Sequence, residues 1–231
     1  MQNNQLIIVT CTYNRPGRLN LIHHLFNLIL NANNTNDILW IVIDDNDIFD
    51  PSLKNIFEDY SNIICLNIGP TKDKGHAQRN LAYEYIVNNN INGIVYNADD
   101  DNYYTKEIFN EIRKIKKIGI IPVGNIKDIN SPHIEKPIIQ DNKITSWNSP
   151  WKDRKYPVDM AGFAFHSSLL SNLEKPYWFH NGLGGESEFI SRICQSPDEL
   201  EILCDNCSKC YAFHNQLYEK FDYLNEKCID K

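Results

Sequence analysis

The chain lacks the features that mark several large classes of protein. It has no excess of positive charge: 23 lysines and arginines against 30 aspartates and glutamates give a net charge of −7. This balance argues against non-specific attraction to nucleic acid or to an anionic membrane surface. No apolar run approaches the length of a bilayer span, and residues 1–5 lack the charged and apolar blocks of a secretion signal. We therefore expect a cytoplasmic protein without a transmembrane segment or a nucleic-acid partner, soluble or peripheral at the inner face of the membrane.

Cysteine occurs in an odd number and without a secretory context. Seven cysteines in 231 residues do not predict a full disulfide framework. Cys204, Cys207 and Cys210 are spaced like part of a zinc or iron–sulfur site, but no fourth cysteine or histidine pair stands at a familiar distance. Structural or unpaired thiols in a reducing compartment are the alternative for this segment.

Two phosphate-binding motifs are also missing. No Gly-x-Gly-x-x-Gly follows the first predicted strand, and Gly-x-x-x-x-Gly-Lys-Ser/Thr occurs nowhere. The sequence thus lacks the main evidence for a dinucleotide oxidoreductase or a P-loop enzyme. Internal repeats and long linkers are absent too, so the 42% of hydrophobic residues indicate one globular unit with one sizeable core.

Strand and helix patterns alternate in the first hundred residues. The predicted strands are the apolar runs at 6–10, 40–43, 63–68 and 93–98, and the predicted helices between them are 21–29, 51–60 and 77–87. This alternation predicts right-handed crossovers and a largely parallel sheet with helices on both faces. It is typical of a nucleotide-binding α/β fold.

The pattern becomes mixed after Thr105, which can cap a helix that reaches about residue 117. The further predicted elements are strands at 120–123, 144–147, 159–166 and 211–214 and a helix at 187–194. A turn at Asp141-Asn142 indicates antiparallel pieces. We predict one domain over residues 1–231, with a nucleotide-binding half at 1–104 and a second half at 105–231 that contains a smaller mixed or antiparallel region.

Three consecutive aspartates follow the predicted strand at 93–98. Packing Asp99, Asp100 and Asp101 side by side costs mutual repulsion and desolvation, and a bound cation or the hydrogen-bond donors of a ligand usually relieve that cost. Hard oxygen ligands at the carboxyl end of a strand suit Mg²⁺ or Mn²⁺, which commonly hold a diphosphate. The alternative is a solvated acidic turn that caps the next helix.

Further polar and glycine-containing blocks accompany this triplet in a fixed order. The blocks are Val9-Thr10 with Thr12-Tyr13 and Arg15-Pro16, Trp40 to Asp45, Gln78-Arg79-Asn80-Leu81-Ala82, Ala98 to Asn102, Asp159 to Ala164, Glu186 to Ile190, and Asn206 to Lys209 leading into Phe213-His214. In this order they resemble glycosyltransferase family 43, the inverting β-1,3-glucuronyltransferases and their relatives, over residues 6–214. The resemblance implies a GT-A fold and metal-dependent transfer of a sugar from a UDP-sugar to a saccharide acceptor, in surface glycan synthesis.

The resemblance assigns several residues to the UDP-sugar donor. Asp101 corresponds to the family's metal-ligating aspartate, for Mn²⁺ or Mg²⁺, whose remaining ligands come from the donor diphosphate and water. Asp100 corresponds to the residue that holds the ribose, and Asp99 to a neighbour near the donor sugar. The other implied contacts are Tyr13 and Asp45 around uracil, His214 and Lys74 at the diphosphate, and Arg79 as a donor contact or an ion-pair partner.

The resemblance also implies a base and an acceptor site. Glu186 corresponds to the catalytic glutamate, which would take the proton of the acceptor hydroxyl. Counting forward from the preceding glycines selects Glu188 instead, and a solvated first helical turn is a third interpretation. Acceptor contacts are implied for Asp159 and for a stretch that contains Trp147 and Arg154, although Trp147 or Trp151 could equally fill the core.

Two departures from the family pattern affect the expected donor. Lys74 stands for one arginine of the family and Gln216 for another, so fewer guanidinium groups are available to a donor carboxylate. Glucuronic acid is therefore expected by kinship, with an uncharged UDP-hexose or a pentose as the alternative. A sugar nucleotidyltransferase and a non-catalytic glycan-binding protein are competing classes, and a homodimer is compatible with all of them.

Overall fold

Two sheets organise the chain in the computed structural model, which describes residues 5–15, 17–32, 37–73, 75–126, 133–179 and 185–215. The larger sheet has seven strands, which are Leu6–Thr12 (β1), Ile38–Asp44 (β2), Ile63–Asn67 (β3), Ile94–Asn97 (β4), Ile118–Ile120 (β6), Phe163–His166 (β10) and Glu201–Ile202 (β11). The smaller sheet has five, which are Asn102–Tyr104 (β5), Val123–Ile126 (β7), His133–Gln140 (β8), Lys143–Asn148 (β9) and Ala212–Asn215 (β12).

The strand order of the large sheet is β11-β6-β10-β4-β1-β2-β3. Strands β4, β1, β2 and β3 are parallel, whereas β10 runs antiparallel to both of its neighbours. The small sheet, in the order β5-β12-β7-β8-β9, is mostly antiparallel, with one parallel pair between β12 and β7. The predicted α/β class, a largely parallel central sheet beside a smaller mixed region, is confirmed.

Helices cover both faces of the large sheet. They are Arg18–Leu30 (α1), Pro51–Phe57 (α2), His76–Asn88 (α3), Glu107–Ile112 (α4) and Gly185–Ile193 (α5), with short 3₁₀ turns at Met160–Gly162, Ser167–Asn172 and Pro197–Glu199. Alternate residues of β1 point to opposite faces: Leu6 and Ile8 pack with α1, α2 and α4, while Ile7 and Val9 pack with α3 and α5. No helix in these ranges is long and apolar enough to cross a membrane.

The predicted strand at 120–123 is wrong. β6 ends at Ile120 in the large sheet, and β7 begins at Val123 in the small one. Pro122 has no backbone N–H to donate to a ladder, so the chain leaves one sheet there and enters the other. The predicted strand at 159–166 is shorter in the structure, because the Asp159 carboxylate accepts from the Ala161 N–H at 2.9 Å and caps a 3₁₀ turn before β10.

This topology brings the carboxyl ends of β1, β2 and β4 to one edge of the sheet. The segments that leave these ends carry Tyr13 and Arg15, Asp45, and the acidic triplet. α3 starts at the same edge, after Gly75 at φ 88°, a left-handed conformation that favours glycine. Ligands of open α/β sheets bind in this position.

Candidate active site

A cavity of about 720 Å³ opens at the carboxyl ends of these strands. It is lined by Cys11, Tyr13, Arg15, Asp45, Thr71, Lys72, Gly75, Gln78, Arg79, Asp99, Asp100, Asp101 and His214. Every residue predicted to contact the donor lines it, apart from Lys74, which lies outside the described residues. The structure therefore brings together side chains that are far apart in the sequence.

Two arginines pair with the three aspartates of the triplet, since Arg15 contacts both Asp100 and Asp101. Asp99 accepts from Nη2 of Arg79 at 2.7 Å, and Asp100 accepts from Oγ1 of Thr12 at 2.7 Å and from the Arg15 guanidinium. Asp101 Oδ2 lies 3.4 Å from Nη1 of Arg15. The repulsion predicted from the sequence is thus relieved in part by cationic side chains of the chain itself.

Burial dominates the titration of these carboxyls. It raises the pKa of Asp100 to about 7, although Arg15 and Thr12 oppose the rise. Burial also raises the pKa of Asp99 against the opposing charge of Arg79. The edge of the cavity thus holds acids that ionise less readily than free aspartate, which favours ligands that bring positive charge or hydrogen-bond donors.

The two aspartates that follow β2 have different roles. Asp44 is buried and accepts from Arg18 Nη1 at 3.2 Å and from the Asp50 N–H at 2.8 Å, so it ties α1 to the loop before α2. Asp45 lines the cavity, and its Oδ1 accepts from the Thr71 N–H at 2.6 Å. Tyr13 stands opposite, 47% exposed, with the Arg15 guanidinium 4.8 Å above its ring.

His214 reaches the cavity through the pairing of β12 with β5. Its register partner is Asn102, and its Nδ1 lies 2.8 Å from Asn102 Oδ1 and 3.7 Å from Asp101 Oδ1. An imidazole in this position can add to the neutralisation of an anionic ligand.

Gln78, Arg79 and Asn80 each connect α3 to a different part of the site. The buried Gln78 amide donates to the carbonyls of Thr12 at 2.9 Å and Ile43 at 3.4 Å, at the ends of β1 and β2. Arg79 makes the ion pair with Asp99, while Asn80 exchanges hydrogen bonds of 3.0 and 2.8 Å with the backbone of Trp178. Arg79 is therefore an ion-pair partner that also lines the cavity, and its contact with a donor stays a prediction.

The predicted base lies at the start of α5. Glu186 Oε2 is 3.3 Å from Nη1 of Arg154, and the guanidinium of Arg154 lies 4.4 Å above the ring of Trp151. Trp151 is 48% exposed, so the indole face that Arg154 leaves uncovered can pack against a sugar ring. This arrangement places a carboxylate, a guanidinium and an aromatic face side by side.

The remaining predicted acceptor residues lie in different surroundings. Asp159 lies within electrostatic range of Asp99, His214 and Glu186, and burial together with Asp99 raises its pKa to about 7. Trp147 instead packs edge-on against Tyr156 with ring centroids 6.5 Å apart, at the margin of a core cluster. Its acceptor role stays a prediction.

Asp101 is the residue best placed to bind a cation. Its side chain is 27% exposed at the mouth of the cavity, more than that of Asp100. Within the described ranges no group of three or more His, Cys, Asp or Glu side chains is arranged to hold a metal, and this covers Cys204, Cys207 and Cys210, which are free thiols. The residues fit a divalent ion of which Asp101 is the protein ligand and the donor diphosphate supplies further oxygens.

Some site residues were not assigned a role from the sequence. Arg15 and Thr12 belong to one of the ordered polar blocks, but their bonds to Asp100 depend on how β1 and β4 pair. Cys11, Thr71, Lys72 and Gln78 line the cavity without a predicted function. Their positions at the end of β1, in the loop between β3 and α3, and in the first turn of α3 are the signal that could have identified them.

Comparison with known proteins agrees with this geometry. The sequence model of glycosyltransferase family 43 matches residues 29–218. The chain belongs to glycosyltransferase family 43. Galactosylgalactosylxylosylprotein 3-beta-glucuronosyltransferase P of Drosophila melanogaster is 32% identical over 91% of this chain and 45% of its own length. The corresponding enzyme sqv-8 of Caenorhabditis elegans is 33% identical over 83% of this chain and 58% of its own length.

Another relative of this family 43 chain is named as a xylosyltransferase. Probable beta-1,4-xylosyltransferase IRX9L of Oryza sativa subsp. japonica is 27% identical over 92% of this chain and 51% of its own length. The chain spans about half the length of these curated relatives.

Solved structures show a similar fold. S. aureus TarS 1-349 aligns with a TM-score of 0.62 at 15% identity, over 91% of this chain and 60% of TarS. Its complex with UDP aligns at 0.60 and 15% identity, over 90% of this chain and 60% of TarS. The predicted GT-A-type fold and the predicted family are confirmed.

Proposed function

We propose that this chain is an inverting glycosyltransferase that moves a sugar from a UDP-sugar to a saccharide acceptor in surface glycan synthesis. The observation that carries the proposal is the cavity at the carboxyl ends of β1, β2 and β4, which collects the donor-side residues of the family pattern. The contacts of Glu186 with Arg154, and of Arg154 with Trp151, support an acceptor side that contains these residues. The division into a donor half (1–104) and an acceptor half (105–231) is part of the proposal, with His214 contributed to the donor cavity by the second half.

Residues of the chain have distinct tasks in the proposed reaction. Tyr13 and Asp45 hold uracil, Asp100 holds the ribose, and His214 with Lys74 neutralises the diphosphate. Arg79 and Asp99 flank the donor sugar. Glu186 takes the proton of the acceptor hydroxyl, whose oxygen then attacks the anomeric carbon from the face opposite to the departing UDP, and Asp159 and Arg154 orient that acceptor.

Asp101 would hold a divalent cation, Mn²⁺ or Mg²⁺, together with the donor diphosphate. Such an ion supplies charge neutralisation on the departing UDP. The need for diphosphate oxygens predicts that the ion binds weakly to the free protein and tightly in the presence of UDP.

Two donor classes remain in competition. Glucuronic acid, transferred in β-1,3 linkage, is favoured by the glucuronosyltransferases among the relatives. An uncharged UDP-pentose is favoured by the relative with a xylosyltransferase name. We also propose that the protein acts in the cytoplasm or at the inner face of the membrane, as a monomer or as a homodimer.

The decisive experiment compares Glu186→Gln with Glu188→Gln. Transfer from UDP-glucuronic acid, UDP-xylose and UDP-glucose to oligosaccharides is measured with Mn²⁺, Mg²⁺ or a chelator, and UDP affinity is measured by calorimetry. We expect Glu186→Gln to lose transfer by about 10²-fold or more and to keep its UDP affinity, because only the proton acceptor is removed. Glu188→Gln is the matched control and should remain active.

Three results would contradict the proposal. An active Glu186→Gln together with an inactive Glu188→Gln would move the base to Glu188. Consumption of a nucleoside triphosphate with a sugar phosphate, and of no UDP-sugar, would indicate a nucleotidyltransferase. Acceptor binding without turnover for any donor would indicate a glycan-binding protein.

A further inference from the structure

His76, the first residue of α3, has no role in the reaction described above. Its ring stacks on Trp178 with centroids 5.6 Å apart and planes at 23°. Trp178 stacks in turn on Phe189 of α5, at 4.5 Å and 8°. The three rings therefore form a continuous stack from the start of α3 to the helix that carries Glu186.

The middle of this stack is fixed to α3. The side chain of Asn80 donates to the Trp178 carbonyl at 3.0 Å and accepts from the Trp178 N–H at 2.8 Å. The Arg79 guanidinium also lies 5.8 Å from the centre of the Trp178 ring. These contacts fix the position of Trp178 relative to the donor side of the site. The rings of His76 and Phe189, which stack on Trp178, are positioned by it.

His76 also abuts the residue before Glu186. A β-carbon built on Gly185 would lie 3.0 Å from Nε2 of His76 and 3.3 Å from its Cε1. Because ordinary contacts of a β-carbon begin at about 3.4 Å, the imidazole and the first residue of α5 are packed as closely as glycine allows. The ring thereby limits how near the first turn of α5 can come to α3.

Burial and neighbouring charges both act on the His76 imidazole. Burial lowers the pKa of His76, and Arg79 on the same helix lowers it further, while Asp73 in the preceding loop and Glu186 on α5 oppose this shift. His76 therefore lies within electrostatic range of both Arg79 and Glu186.

We propose that His76 is a positioning residue for the transfer reaction: its ring, held against Trp178 and Gly185, sets the place of Glu186 relative to the donor. This inference rests on the proposed role of Glu186 as the base. A displacement of about 1 Å between reacting groups can reduce turnover about 10²-fold, so a packing contact in this place has a measurable effect on rate.

The test is a double-mutant cycle with His76→Ala, Gly185→Ala and the double variant. His76→Ala should lower kcat for transfer about tenfold or more, with UDP affinity within about twofold of the wild type. The reason is that the imidazole no longer limits how near α5 comes to α3, while the donor cavity is unchanged. Gly185→Ala should also lower kcat, since the new methyl group presses on the ring. The double variant should recover part of the loss, because the methyl group enters the space that the ring has left.

His23→Ala is the matched control, because His23 is exposed on α1 and should leave kcat unchanged. If His76→Ala fails to fold, Gly185→Ala alone still tests the contact. An unchanged kcat in either single variant overturns the proposal. The proposal is also overturned if kcat, UDP affinity and melting temperature all fall together and the double variant recovers none of them. That result would indicate that the His76 ring has only a structural role.

The proposed base is tested separately in the same assay. If Glu186→Gln is fully active, the assignment of the base fails and the positioning role fails with it. If Glu186→Gln is inactive while His76→Ala has the kcat of the wild type, only the positioning role fails.

Discussion

At the scale of residues, the site is organised by ion pairs between the acidic triplet and two arginines. Asp99 pairs with Arg79 of α3 and Asp100 with Arg15 of the loop after β1, whereas Asp101 keeps the most open carboxylate. The sequence predicts where the triplet lies, because aspartates directly after a buried parallel strand stand at the edge where α/β sheets bind ligands. It does not predict these partners, since each comes from a distant element whose approach depends on the whole sheet.

A second feature at this scale is a left-handed turn at Cys204–Cys207. All four residues have φ between 53° and 56°. A left-handed conformation costs an L-residue about 1–2 kcal/mol, less for asparagine and aspartate, and costs glycine nothing. No sequence pattern predicted this turn, because none of the four residues is glycine.

Asp205→Gly should therefore stabilise the protein by about 0.5–1 kcal/mol. The side chain of Asp205 is 67% exposed, and its ion pair with Lys209 at 3.5 Å contributes little. The measurement is the free energy of unfolding in urea. Asp205→Ala is the control and should bring no gain, because it retains a β-carbon. A Gly variant that is no more stable than the wild type would show that the turn carries no strain.

At the scale of elements, the site depends on where strands end. β1, β2 and β4 end at the same edge, and the amide of Gln78 on α3 joins the carbonyls of Thr12 and Ile43 near the ends of β1 and β2. Strand and helix periodicity predicted this half of the fold well, because its parallel strands are buried and its helices are amphipathic. The part of the chain from β5 onwards was predicted less well, since β5 has only three residues and Pro122 moves the chain between sheets.

Gln78→Met tests the connection between these strand ends. It keeps the length of the side chain but removes the donor, so the carbonyls of Thr12 and Ile43 lose a buried partner. We expect a loss of about 1–3 kcal/mol in the free energy of unfolding and weaker UDP binding, because Tyr13 and Asp45 directly follow these strand ends. Urea unfolding and calorimetry measure the two effects. Gln140→Met on the exposed end of β8 is the control; equal effects in both variants would contradict the prediction.

At the scale of the whole molecule, a group of acids with raised pKa values makes the fold less stable at high pH. Burial raises the pKa of Asp100 and of Asp159 to about 7, from an ordinary value of 3.8. Between pH 3.8 and about pH 7, Asp100 and Asp159 are protonated in the folded chain but ionised in the unfolded chain. The free energy of unfolding therefore falls as the pH rises from about 4 to about 7, and the loss is complete above pH 7.

Asp159→Asn should remove one such contribution. The amide oxygen can still accept from the Ala161 N–H, so the 3₁₀ turn keeps its cap. We expect a higher melting temperature than that of the wild type at pH 8, a difference that disappears near pH 4, and reduced use of the acceptor. Thermal unfolding over this pH range measures the effect. Asp153→Asn, the same change at an exposed position, is the control; a pH-independent difference for Asp159→Asn would refute the prediction.

The family and its fold could be predicted from the sequence because ordered polar blocks extend over nearly the whole chain. The sequence could not distinguish an acceptor contact from a core residue, as Trp147 illustrates. Its ring packs edge-on against Tyr156, whereas the ring of Trp151, four positions later, is open. Both tryptophans flank the same polar segment, and only the register of β9 with β8 distinguishes them.

The pairing of β12 with β5 has a consequence for how the protein is made. His214 joins the acidic triplet only when the strand at Ala212–Asn215 lies beside Asn102–Tyr104. On the ribosome, a nascent chain therefore lacks a complete donor pocket until this late strand has emerged. A ligand that requires His214 can stabilise the fold by mass action only after this strand has been added to the sheet.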